Sequence, residues 1–142
     1  MNATTQSWML LLGRILVGSL FVVIGIRTVM FYAGSVGYFT KLGFPVPEAT
    51  TWLAFIIDIG AGFLLIVGWK TQWVSWLLVV FVAIAIAMAH RFWEFDATQY
   101  ANQLNHFLKD LAIIGGLLYV ITFGPGAMSV DGRKGGAGPS GA

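Results

Sequence analysis

Four long apolar runs constrain this chain more than any other feature, at about Trp8–Phe31, Trp52–Trp69, Trp73–Phe92 and Asn105–Phe123. As α-helix, a run of roughly 18–24 residues extends about 27–36 Å, the thickness of a bilayer's hydrocarbon core. The runs are apolar all round, whereas a helix of a soluble bundle keeps a polar outer face. Only 10% of the 142 residues are charged and 58% are hydrophobic. A soluble domain carries about 25% charged residues, so this chain lacks the groups to cover a water-facing surface. The expected fold class is all-α, an integral membrane four-helix bundle in a lipid bilayer, with both termini on the same side.

Tryptophans sit at several run ends (Trp8, Trp52, Trp69, Trp73 and Trp93), where amphipathic indoles favour the headgroup level. The first connection, YAGSVGYFTKLGFPVPEATT, is fairly apolar and is expected to lie at the interface or fold over the bundle. The second, WKTQW, is a tight turn, and the third, WEFDATQYANQL, is polar and could begin as a short helix. The Gly-rich stretch 125–142 reads as a flexible C-terminal tail. No basic residue precedes the first run, which also outlasts a signal-peptide core, so it reads as a retained membrane helix.

The side holding both termini and the second connection carries Lys70, Arg133 and Lys134; the other carries Lys41 and Arg91. This small excess favours cytoplasmic termini in a bacterial-type inner membrane, with the long loops outside. There is no cysteine, which removes disulfides, thiol redox chemistry and thiolate metal sites. No basic run supports nucleic-acid binding.

Charges within the spans are the informative ones, because each costs several kcal/mol at depth unless paired or hydrated. Counting along antiparallel helices brings Arg27, Asp58, His90 and Asp110 to one level, within about 10 Å of the long-loop side. Every span contributes one residue to this polar layer, and Lys109 stands beside Asp110. The small residues Gly18, Gly25, Gly62, Ala83, Ala87 and Gly116 are expected to mark helix–helix contacts that turn the polar faces inward. Ala83 and Ala87 share a helical face with His90.

Plainer readings stand beside these. Arg14, near the opposite side, either snorkels to the interface or serves a structural or site role. Arg27 lies close enough to a boundary to snorkel as well. Asp58 must pair with a cation, Arg27 or Lys109, or stay protonated. His90 could simply bond a carbonyl at a helix end, and His106 reads as a loop residue. The two histidines lie at the rims and no strong ligands recur at i, i+3 or i, i+4, so neither haem nor metal is expected.

The segment LLLGRILVGSLFVVIGIRTV, with Gly13-Arg14 and then Gly25 and Arg27, resembles the opening helix of DoxX-type membrane proteins. DIGAGFLLIVGWKTQW resembles the second helix of that family, an acidic residue before a Gly-rich apolar stretch and a short basic turn. AHRFWE and NHFLKDLAIIGGLLYVITFGPGAMSVD resemble the end of its third helix and its fourth, with a closing Ser-x-Asp. The acidic position, often Glu in the family, is Asp58 here, and the basic one, often Lys, is Arg27. An Asp–Arg pair could be bidentate and structurally strong.

This resemblance implies a four-helix membrane bundle and a link to redox function. The family's name-giving members are membrane subunits of thiosulfate:quinone oxidoreductase. One expectation is therefore a quinone site, or part of one, in a respiratory enzyme. Arg27, Asp58, His90 and Asp110 would be its polar groups, with Trp93 and Phe92 as ring contacts. An equally weighted one is an accessory or assembly subunit docked to a larger membrane complex or forming a homo-oligomer. A transporter is disfavoured, because a polar layer at one end gives no path through the bundle.

Overall fold

A computed structural model describes residues 2–135. Helix α1 spans Ala3–Met30 and starts where Asn2 accepts the Thr5 amide at 2.8 Å. At Phe31 the backbone leaves the helical region (φ −113°, ψ 44°) and a short helix, α2 (Tyr32–Lys41), departs on a new course. Gly43, at φ +82°, turns the chain, and Pro47 opens α3 (Pro47–Val67) at the position where a missing N–H costs nothing. Gly68 (φ +72°) and Lys70 (φ +47°) make the sharp turn into α4, Thr71–Ala89. A single 3₁₀ turn, Phe92–Glu94, leads to Asp96, which caps α5 (Ala97–Phe123). A short helix, α6 (Val130–Gly135), follows.

Helices α1, α3, α4 and α5 are each long and apolar enough to cross a membrane. The long helices differ from the expected runs mainly at the loop side. The helix α3 begins at Pro47, before Trp52; α4 stops at Ala89, before Phe92; and α5 begins at Ala97, eight residues ahead of Asn105.

Small residues bring α1 against α3. A Cβ added to Gly18 would lie 2.6 Å from Ile66 Cγ1 and 2.7 Å from the Gly62 carbonyl oxygen. Only glycine permits that approach, and van der Waals packing is what joins helices in lipid. Beneath this contact Phe21, Leu65, Leu78, Leu117 and neighbouring apolar side chains form the buried core. Side chains such as Leu12, Ile56, Phe63, Trp76 and Val80 face outward, where lipid replaces water. Ala83 and Ala87 face outward with them. They do not share an inward face with His90, because α4 ends at Ala89 and His90 (φ −120°, ψ 40°) no longer follows the helical rotation.

The expected flexible tail divides in two. Residues 136–142 lie outside the described residues, whereas 125–135 fold back onto the bundle. Arg14 anchors them. It is 1% exposed and does not snorkel to the interface. Its Nη1 donates to the Ile66 carbonyl at 2.9 Å, and its Nη2 to the Met128 carbonyl at 2.6 Å. Ile66 belongs to the last turn of α3, whose carbonyls have no intrahelical donors and carry the negative end of the helix dipole. Asp131 meets the opposite need in α4, accepting the Lys70 amide at 3.0 Å and the Thr71 amide and hydroxyl at 2.8 Å each. The Asp131 amide in turn donates to the Gly68 carbonyl at 2.9 Å. A Cβ on Gly68 would collide with the Arg14 guanidinium, so the turn must be glycine for space as well as for its positive φ. This clasp joins α1, α3, α4 and the tail, and it places both ends of the described chain at one end of the bundle.

Arg14→Leu should lower the unfolding free energy in detergent by about 1–3 kcal/mol, since buried carbonyls lose their donor. Because Arg14 and Asp131 hold one clasp, Arg14→Leu and Asp131→Asn should be non-additive by at least about 0.5 kcal/mol in a double-mutant cycle. Strict additivity would show that the two residues act separately.

Candidate functional site

At the other end, the helices spread around a cavity of about 690 Å³. Its wall takes residues from all four spanning helices and from α2. Most of it is apolar: Phe21 and Ile24 of α1, Leu53 of α3, Phe81 and Met88 of α4, and Ile113 of α5. The helix α2 lies across α3 and contributes Tyr38 and Phe39, with Leu42 and Phe44 beyond it. The apolar first connection therefore forms a roof over the cavity.

Besides Tyr38, four ionisable residues interrupt that wall: Arg27 of α1, Asp58 of α3, His90 just past the end of α4 and Asp110 of α5. Asp58 is the most deeply set, 3% exposed on α3. Its setting depends on Gly25 of α1, where a Cβ would stand 3.0 Å from that of Asp58. Neither Arg27 nor Lys109 pairs with it: among the described residues no cation lies within 4.0 Å of its carboxyl, and buried Oδ1 accepts no hydrogen bond. Arg27 lines the cavity from an exposed stretch of α1 and likewise forms no ion pair among the described residues.

His90 follows the last residue of α4, its amide still donating to the Ile86 carbonyl at 3.2 Å. Its ring is held on three sides by α5. Nδ1 lies 3.0 Å from Gln103 Oε1, and Nε2 lies 3.7 Å from Asp110 Oδ2. The His106 ring stacks on it at a centroid distance of 4.9 Å and an interplanar angle of 10°. Gln103, His106 and Asp110 recur at i, i+3 and i+7, one face of α5. His106 is therefore a helix residue of this cluster, not a loop residue. Gln103 was missed because its segment reads as polar loop, and the spacing becomes visible once the helix is known to begin at Ala97.

Lys109 is exposed and turns away from Asp58. With His106 and Asp110 it lines a smaller groove of about 350 Å³ between α5 and the Leu20–Ile24 stretch of α1. Asp110 thus borders both spaces. Trp93 is 59% exposed and packs against Phe92 and Phe107, outside the cavity. Neither Phe92 nor Trp93 supplies a wall to it; the aromatic contacts there come from Phe21, Phe31, Tyr38, Phe39, Phe44 and Phe81. Tyr38 sits 45% exposed on α2, outside the spanning helices, and burial together with the charge of Asp110 raises its hydroxyl pKa above the ordinary value. It therefore stays a neutral hydrogen-bond donor throughout the physiological range.

Among the described residues, no three His, Cys, Asp or Glu side chains are grouped to hold a metal ion. The two histidine rings lie face to face. What the cavity offers is an apolar slot with hydrogen-bonding and proton-exchanging groups along one side.

A buried polar atom without a partner lowers stability by about 1–3 kcal/mol. Asp58→Leu, close to isosteric with the carboxyl, should therefore raise the unfolding free energy of ligand-free protein by an amount of that order. A fall instead would mean that the carboxyl has a partner in the folded protein.

The family model described as DoxX matches residues 9–91, from α1 to the end of α4. The inner membrane protein YphA of Escherichia coli is 28% identical over 125 residues, 88% of this chain and 89% of that protein. Inner membrane protein YqjF of the same organism is 29% identical over 123 residues, 85% of this chain and 88% of its own length. A Surfeit locus protein 4 homolog of Schizosaccharomyces pombe is 31% identical over 84 residues, 58% of this chain but 28% of the longer protein. No solved structure matches the chain. The matched stretch covers more than half of the chain and contains Arg14, the glycine contact of α1 with α3, Asp58 and His90; the chain belongs to the DoxX family of membrane proteins.

Proposed function

We propose that the cavity binds a lipid-soluble carbonyl compound of the quinone class and that the chain serves a membrane redox system as its quinone-binding component. The observation that carries this reading is Asp58, a buried carboxyl with no protein partner on the wall of an otherwise apolar cavity. Leaving a polar group unsatisfied is unfavourable, and of the three buried side chains with an unpartnered polar atom among the described residues, Asp58 alone lines the cavity, where a ligand can complete its bonding. In its neutral form Asp58 donates one hydrogen bond, as a carbonyl oxygen requires. Tyr38 and His90 stand on the same wall as further donors, and Arg27 can stabilise negative charge that develops on the ligand. The volume suits a ring with a short length of its tail, since small-molecule sites span about 300–1,000 Å³.

Bound quinone would supply two-electron chemistry, taking up two electrons and two protons. This chain's residues would hold the ring, exclude water and deliver protons at the carbonyl oxygens. None of its side chains is an electron carrier, so the electrons come from a partner subunit or from an oxidisable substrate. The resemblance to membrane subunits of a thiosulfate:quinone oxidoreductase agrees with that division of labour. Cytoplasmic termini, the orientation supported by the small excess of Lys and Arg on that side, would put the Arg14 clasp at the cytoplasmic face and the cavity near the outer face.

Titrating purified protein in mild detergent with a short-tailed quinone should give saturable binding. Asp58→Leu and His90→Ala should each weaken it about tenfold, equivalent to about 1.4 kcal/mol. Trp93→Ala, outside the cavity, should leave it unchanged. Equal affinity in wild type and Asp58→Leu, or no binding at all, would end this reading.

A further inference from the structure

Gln103 holds His90 from outside the cavity lining at 3.0 Å, and neither the family resemblance nor the cavity reading gives Gln103 a role. The Oε1 of a glutamine is an acceptor only. At 3.0 Å from Oε1, His90 Nδ1 makes a hydrogen bond when it carries the hydrogen and donates, which directs that hydrogen to Gln103, a residue outside the cavity lining. A neutral imidazole carries one hydrogen, so the bare nitrogen is then Nε2, the one facing Asp110 Oδ2 at 3.7 Å. That gap is too long for a direct hydrogen bond and suits a bridging water or a small closing movement. Stacking on His106 resists rotation of the ring out of this plane.

Asp110 borders both the main cavity and the outer groove lined by His106 and Lys109. It can therefore exchange with one space on behalf of the other. Charged and titratable groups face the pair from every neighbouring helix: Arg27 from α1, Tyr38 from α2, Asp58 from α3, and His106 with Lys109 from α5.

We propose that Gln103 is a positioning residue that fixes His90 as its Nδ1–H tautomer, making His90 Nε2 and Asp110 a relay that carries protons between the outer groove and the cavity. When protonated, Nε2 gives its proton to an acceptor in the cavity and regains its lone pair. Asp110 then returns a proton to Nε2 and is itself reprotonated from the aqueous loop side by way of the groove. Only protons move, and Nδ1 keeps its hydrogen on Gln103 throughout. This extends the quinone reading by assigning a proton source, but the tautomer itself needs no ligand.

The test is nitrogen-15 NMR of histidine-labelled protein in detergent or nanodiscs, titrated without ligand. Wild-type His90 should show a protonated-type Nδ1 and a bare-type Nε2 in its neutral form. Gln103→Leu should return it to the Nε2–H tautomer favoured by free imidazole, so that the two nitrogen shifts exchange. Gln103→Glu, which keeps an acceptor in place, should restore the wild-type pattern. Asp110→Asn should keep the tautomer but move the His90 titration midpoint, because the facing carboxylate is gone. A wild-type Nε2–H tautomer, or a Gln103→Leu spectrum unchanged at His90, overturns the relay. A native His106 spectrum and helical circular dichroism identify variants that fold. If quinone titration fails while the tautomer holds, only the ligand reading falls; the reverse outcome removes only the relay.

Discussion

Inside a bilayer no water is at hand to complete a polar group's bonding, so each buried one must find its partner in the protein. The two ends of this bundle meet that constraint in opposite ways. At one end Arg14 is enclosed and spends its guanidinium on the orphan carbonyl of Ile66 and on Met128, while Asp131 answers the free amides that start α4. The polar groups there close on each other and tie the chain ends to the bundle. At the other end Asp58 is equally enclosed, but its Oδ1 is left open beside a cavity. Arg14 leaves only Nε without an acceptor, whereas among the described residues the Asp58 carboxyl makes no hydrogen bond or ion pair at all. The contrast is the physical ground for reading the second end as a site.

The packing supports that division. Close approach of α1 to α3 through Gly18 and Gly62 makes the middle of the bundle dense. Toward the loop side the same two helices carry Gly25 against Asp58, which buries the carboxyl without giving it a bonding partner. The short helix α2 then covers the space the helices leave, with Tyr38 and Phe39 in its wall. Rigid helices thus hold the polar groups, and the roof is a separate short element joined by the bend at Phe31 and the turn at Gly43.

Depth along the membrane normal was legible in the sequence. Four apolar runs and alternating direction are enough to bring Arg27, Asp58, His90 and Asp110 to one level, because helix rise is fixed at about 1.5 Å per residue. Direction around each helix was far less legible. Lys109 and Asp110 are adjacent, yet only Asp110 lines the main cavity. The face inferred from Ala83 and Ala87 failed because His90 lies just past the end of α4. Gln103 was hidden by a helix start placed eight residues late, in a segment whose polarity resembles a loop. The clasp between Arg14, Met128 and Asp131 was invisible for a different reason. It depends on contacts between residues more than fifty positions apart, and a Gly-rich tail carries no local pattern that announces a docking site.

The account centres on an apolar cavity that receives a lipid-borne ligand at Asp58. Photolabelling in native-like membranes tests this most directly, using a quinone analogue with a photoreactive group on its ring and mapping the adducts by mass spectrometry. Labels should fall on cavity residues such as Tyr38, Leu42 and Met88 and be suppressed by excess unlabelled quinone and by Asp58→Leu. Labels confined to outward residues such as Trp76 and Leu77, and unaffected by competitor, would contradict it.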